Sequence, residues 1–166
     1  MRLSLLMNMN IINKRLTSFL KSFKFAFNGL IASIKTERNM RVHLCAAFYV
    51  LIFMQFYDLS NAEKVIIFLT MGIVISLELV NTAIESVVNL CSPKYHVLAK
   101  KAKDASAGAV LVSAIVSVAV AVEVFWDVSV FYNIYNFFIS NLLALFGLVL
   151  SLLIWIIFIF VYDVKN

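Results

Sequence analysis

VIIFLTMGIVISLELVNTAIESVVNL, residues 65–90, is the stretch on which the fold turns. As a helix it is about 39 Å long, more than the roughly 30 Å hydrocarbon core of a bilayer. It is apolar almost throughout, yet it holds two carboxylates, Glu78 and Glu85, and two amides, Asn81 and Asn89. At about 100° per residue these four and Thr82 fall within one arc of roughly 100°. Leu79, Val80, Ala83 and Val87 take the opposite face. Glu78 and Glu85 are two turns apart, roughly 10.5 Å along the axis. One carboxylate in mid-membrane costs at least about 2.5 kcal/mol, so the stripe needs a use. Taken alone it allows three: hydrogen-bonded packing between helices, an ion or proton path, or catalysis.

The rest of the chain has the same character. Of its residues 63% are hydrophobic and 14% charged, against about half and a quarter in soluble domains, which makes it an integral membrane protein. Three more apolar stretches, 42–57, 105–126 and 137–162, give four spans. All are expected to be α-helical, because a helix satisfies its own backbone in lipid. The first is short and borrows a turn from the segment before it. A length of 166 residues leaves no room for a separate soluble catalytic domain. Cys45 and Cys91 lack metal-ligand spacing and read as buried free thiols. The N-terminus lacks the pattern of a cleaved signal peptide.

Charge orients the spans. Eight Lys and Arg residues precede the first span, and Lys94, Lys100, Lys101 and Lys103 fill the loop after the second. The other two connections hold Lys64 with Asp58, Glu63 and Asp127. The positive-inside rule puts the N-terminus and the lysine-rich loop in the cytoplasm, and four spans return the C-terminus, with Lys165, to the same side. Between residues 10 and 41, basic residues interleave with apolar ones at steps of three and four. This predicts an amphipathic helix lying in the interface, bound to anionic lipid and bordering the site. The organisation expected is a surface helix (1–41), a three-span core (42–126) and an added C-terminal span (127–166).

Two cytoplasmic stretches shift the balance among the three uses. SPKYHVLAKKAKD, residues 92–104, follows the stripe, and KTERNMR, residues 35–41, precedes the first span. Glu37, Glu85 and Asp104 are thereby expected to converge with lysines at one membrane face. Mg²⁺ usually takes one or two carboxylates plus substrate phosphates, and lysines supply point charges for phosphate. No Walker loop, kinase glycine loop or dinucleotide fingerprint is present, so a nucleotide site here is unconventional.

E-L-V-N-T-A-I-E-S-V-V, then Y-H-x-L-A-K-K-A-K-D-A-S-A-G-A-V-L, resembles the prokaryotic diacylglycerol kinase family, small membrane lipid kinases that include the undecaprenol kinases. K-F-A-F-N-G-L-I-A-S-I-K-T-E-R-N-M-R-V-H fits the family's surface helix, and the likeness runs over roughly residues 18–126. The resemblance implies Glu78 as general base with Asn81 in support, and Glu37 and Glu85 as holders of Mg²⁺. It implies nucleotide contacts from Phe25, Glu37, Glu85, Lys94, Tyr95, His96, Lys103 and Asp104. ATP is then the co-substrate, a membrane lipid the acceptor, the bacterial cytoplasmic membrane the location, and a homotrimer with shared sites the assembly. No nucleic-acid partner is expected. Ala105, Ala107, Gly108 and Ala109 suit close helix approach, between copies or within one chain.

Asn89 stands where the family usually has aspartate, and Phe25 where some members have tyrosine. His43 reads as structural. The fourth span reads as packing or lipid-facing, and deleting residues from about 130 onward is expected to preserve activity. The A-G-A-V-L ending and the S-P-K-Y approach resemble the undecaprenol branch more than the diacylglycerol one. The rival from another class is a small proton- or cation-coupled transporter or channel subunit using Glu78 and Glu85, which leaves the lysine-rich segment without a use.

Overall fold

The computed structural model describes residues 2–92 and 94–161, with side chains from residue 14 onward. Its elements are α1 (Arg2–Thr36), α2 (Arg38–Phe53) running into a 3-10 turn (Met54–Phe56), α3 (Asn61–Cys91), α4 (Val97–Phe125), α5 (Val128–Ser140) and α6 (Leu142–Phe160). No strand occurs among the described residues. Among the described residues four segments are long and apolar enough to cross a membrane: Arg38–Phe56, Asn61–Cys91, Val97–Phe125 and Leu142–Phe160. The protein is an all-α integral membrane protein. The first span is the least apolar, with a mean hydropathy of 1.3 against 3.0 in the last, and it reaches back to Arg38 for the turn it lacked.

Two boundaries differ from those expected, and a cap explains each. α4 begins at Val97, so Lys100, Lys101, Lys103 and Asp104 lie on a helix and not in the connection. His96 caps that helix, its Nδ1 accepting the Leu98 N–H at 3.2 Å, and the alanines and lysines that follow are good helix formers. The expected fourth span is two helices, divided at Asn141, whose Oδ1 accepts the Ala144 N–H at 3.2 Å. Asparagine is among the strongest N-caps. α6 alone crosses, since the 13 residues of α5 reach only about 20 Å. Tyr162 and Lys165, expected at the end of the last span and beyond it, lie outside the described residues.

α3 and α4 form the central antiparallel pair, α2 packs against α3, and α6 packs against α2. Away from the lysine-rich end, Met54, Leu59 and Ile67 are buried together with Val50, Tyr57, Met71, Val124 and Phe125 around them. There the Tyr57 hydroxyl donates to the Phe125 carbonyl at 2.8 Å. α3 starts on a capping box, with the Ser60 side chain accepting the Glu63 N–H and Glu63 accepting the Ser60 N–H. Phe19, Phe23 and Phe27 on α1 are exposed. α1 meets the spans near its end, where the Ser33 and Thr82 hydroxyls bond at 3.3 Å.

Candidate functional site

The polar stripe of α3 faces its neighbours. Glu78 is 1% exposed and Asn81 7%, whereas Val80 and Val87 on the opposite face are more than half exposed. Glu78 Oε2 is buried with no hydrogen-bond partner among the described residues. An orphaned buried carboxylate oxygen is costly, so it calls for a proton or a ligand. Beside it lies a cavity of about 230 Å³ to which Asn39, His43 and Asn81 add polar groups and Val110, Leu111 and Ala114 add apolar ones. A second cavity of about 180 Å³ shares His43 and Ala114 with the first and runs on along Ala47, Val50, Val74 and Ser117. Glu78 thus stands at the end of an apolar track, with His43 at the junction.

Hydrogen bonds join the stripe to α4. Asn81 Nδ2 donates to Glu85 Oε1 at 3.2 Å, and Ser106 Oγ donates to Asn81 Oδ1 at 2.6 Å. Further along, Lys103 Nζ donates to Asn89 Oδ1 at 3.4 Å. The expected support of Glu78 by Asn81 takes a different form. Glu85 lies one turn on at i+4, where helix geometry brings the two side chains together, so Asn81 holds the second glutamate instead.

Glu37 N-caps α2 at its elbow with α1, its backbone extended at φ −99° and ψ 117°, and Thr36 Oγ1 donates to its carboxylate at 3.1 Å. The Ser33 carbonyl accepts the Glu37 N–H at 2.8 Å, and the Ser33 hydroxyl bonds to that of Thr82, so the elbow that carries Glu37 lies beside the polar stripe of α3. Asp104 does not complete the expected trio. It pairs with Lys100 at 3.2 Å one turn along α4, and no group of three His, Cys, Asp or Glu suited to a metal ion occurs among the described residues. Two carboxylates without a third protein ligand fit a hard cation completed by phosphate and water, and do not fit a closed zinc site.

A separate cleft of about 430 Å³ gathers Asn89, Lys94, Tyr95, His96, Lys103 and Asp104, together with Lys100. Asn89 lies about 16 Å along the axis from Glu78, with the Asn81–Glu85 pair between. Clustered ammonium groups in a cleft suit phosphate. Phe25 does not join either group: it is 69% exposed on α1 and lines none of these cavities. Three residues escaped the sequence. Ser106 carried only the faint signal of a hydroxyl among alanines, and His43 that of a ring in an apolar run. Arg41, read as part of the basic N-terminal set, is 5% exposed.

Residues 24–125 match the family model described as prokaryotic diacylglycerol kinase. The chain is 48% identical over 110 residues to the undecaprenol kinase of Bacillus subtilis, covering 66% of this chain and 89% of that one. It is 41% identical over 104 residues to a diacylglycerol kinase of Synechocystis, covering 62% of this chain and 59% of that one. Against the diacylglycerol kinase of Escherichia coli the identity is 28% over 111 residues, 67% of this chain and 91% of that one. The family match ends where α4 ends, so α5 and α6 lie outside it.

Proposed function

Since the chain belongs to the prokaryotic diacylglycerol kinase family and is a lipid kinase, we propose that it transfers the γ-phosphoryl group of ATP to the hydroxyl of a membrane lipid, undecaprenol in preference to diacylglycerol. The observation that carries this is the buried, unpartnered oxygen of Glu78 at the end of an apolar track. A lipid tail lies along Val50, Val74 and Ser117 and brings its hydroxyl past His43 to Glu78. The hydroxyl oxygen attacks the γ-phosphorus, its proton passes to Glu78, and the bond from that phosphorus to the bridging oxygen of ADP breaks. Lys94, Tyr95, His96, Lys103 and Asp104 hold the nucleotide in their cleft. Glu37 and Glu85 hold Mg²⁺, which when bound neutralises phosphate charge. Asn81 orients Glu85.

The preference for undecaprenol rests on the 48% identity to an undecaprenol kinase, against 41% and 28% to two diacylglycerol kinases. The protein sits in a bacterial cytoplasmic membrane with both termini in the cytoplasm, where ATP is, and works as a homotrimer. A pore built on Glu78 and Glu85 leaves the lysine cleft idle, so the transporter alternative is set aside.

The test is phosphorylation of the two lipids side by side in mixed micelles with [γ-³²P]ATP. Labelled undecaprenyl phosphate is expected to exceed labelled phosphatidate, and diacylglycerol as the better acceptor overturns the substrate assignment. Glu78→Gln is expected to stay folded by elution and circular dichroism and to lose at least about 10²-fold in kcat. An active variant removes Glu78 as base.

A further inference from the structure

Arg41 joins three helices at the elbow that carries Glu37. Its Nη1 donates to the carbonyls of Ile34 and Lys35 in the last turn of α1, at 3.1 and 2.9 Å. Its Nη2 donates to the Ile159 carbonyl in the last turn of α6, at 3.3 Å. Its guanidinium lies 5.8 Å from the centre of the Phe158 ring. One buried cation thus serves carbonyls in the last turns of two helices, where the helix dipole is negative. In the chain, Arg41 N–H donates to the Glu37 carbonyl at 3.4 Å. A cleft of about 460 Å³ at this point is lined by Glu37 and Arg41 together with Ile159 and Phe160. Further along, the Tyr49 and Ser151 hydroxyls bond at 3.0 Å and Phe48 packs on Trp155, seating α6 along α2.

We propose that α6, which lies outside the family match, is a clasp on the catalytic core: through Arg41 its C-terminal turn fixes the α1–α2 elbow and so positions the Glu37 carboxylate. Arg41 is a positioning residue, acting on metal and nucleotide through Glu37. The fourth span is then more than a lipid-facing addition. The elbow needs such a brace because Glu37 has extended backbone between two helices and, among the described residues, its side chain is held by the neighbouring Thr36 alone. The proposal rests on the assignment of Glu37 to the metal, and its test separates the two.

The experiment uses the full chain in micelles and two variants of the clasp. Arg41→Lys keeps the charge but cannot span three carbonyls with a planar fork. Phe158→Ala removes the ring beneath the guanidinium, and Phe158→Trp restores an aromatic face. Mn²⁺ binding to the protein is read from the change that the protein makes in the EPR spectrum of the Mn²⁺ complex of a non-hydrolysable ATP analogue, alongside Mg²⁺ titrations of activity. Arg41→Lys and Phe158→Ala are expected to weaken Mn²⁺ binding and raise the Mg²⁺ needed for half activity by roughly tenfold. The lipid KM and the kcat at saturating Mg²⁺ stay near wild type, and Phe158→Trp behaves as wild type. Should Arg41→Lys not fold, the Phe158 pair decides alone. Unchanged Mn²⁺ binding in the folded variants, or a loss of kcat at every Mg²⁺ concentration, overturns the clasp. Glu37→Gln separates the premise: if it leaves Mn²⁺ binding intact, the metal assignment fails. If it weakens binding while the clasp variants do not, the clasp alone fails.

Discussion

Ser106 holds Asn81 by one short hydrogen bond, and Asn81 in turn holds Glu85. The hydroxyl has one proton, for which the Lys103 carbonyl at 2.9 Å is the second acceptor; given to Asn81, it turns the amide so that its N–H faces the carboxylate. Ser106→Ala frees Asn81 Oδ1 in an apolar setting. The expected loss is about 0.6–1.7 kcal/mol of stability, the range for polar contacts between membrane helices. Because Glu85 rather than Glu78 loses its partner, the variant is expected to need more Mg²⁺ while keeping its kcat at saturation. Thermal unfolding in micelles and a Mg²⁺ titration check both parts, and a fall in kcat without a shift in metal dependence contradicts the chain Ser106–Asn81–Glu85. Glu78, Asn81 and Glu85 were legible in the sequence because polar groups in an apolar run declare themselves by cost. Ser106 and His43 were not, because serine and histidine are cheap enough at helix interfaces to need no explanation until their neighbours are known.

The spans were legible in number and the breaks between the helices were not. Hydropathy marks where a chain can cross, but ends are set by single caps such as His96, Asn141 and Asp127, which look like ordinary polar residues. Asp127 is the most exposed to a pH test. Its carboxylate is held below its usual range, first by the Ser129 hydroxyl at 2.6 Å, then by the Ser129 and Val130 N–H groups. The ionised form is therefore the one the folded cap favours. A depressed folded pKa means the capping contribution is complete above the unfolded value of about 3.9 and is lost as pH falls through the lower folded value. Hydrogen exchange at Ser129 and Val130, corrected for intrinsic rates, should show steady protection from neutral pH to about 5 and declining protection below about 4. Asp127→Asn still caps and is expected to stay flat across that range. An equal decline in Asp127→Asn places the effect elsewhere.

At the scale of the molecule, one chain leaves much of its apolar surface open: Met40, Met54, Leu59, Ile67, Val74, Val110 and Ile159 are its buried hydrophobic residues among those described. Membrane class and span number could be read from composition because lipid and water differ so strongly. Assembly could not, because lipid tails and protein side chains are equally apolar, so a lipid-facing surface and a subunit-facing one look alike in sequence. The structure adds one discriminating detail. A Cβ at Gly108 meets nothing within 4 Å, and Ala105, Ala107 and Ala109 are exposed, so packing within the chain does not require these small residues. Close approach of another copy is the use that remains in the proposed trimer. Gly108→Leu should therefore fold as a single chain yet lose the trimer in crosslinking. The sharing of sites has its own test, with Glu78→Gln and Lys103→Ala each inactive alone and mixed as subunits. If Glu78 of one copy works with the lysine cleft of the next, one site in four keeps both groups, and about a quarter of wild-type activity returns. If both groups belong to the same chain, no mixed site is intact. Mixed trimers proven by two affinity tags but lacking activity reject shared sites and place the reaction within a single protomer.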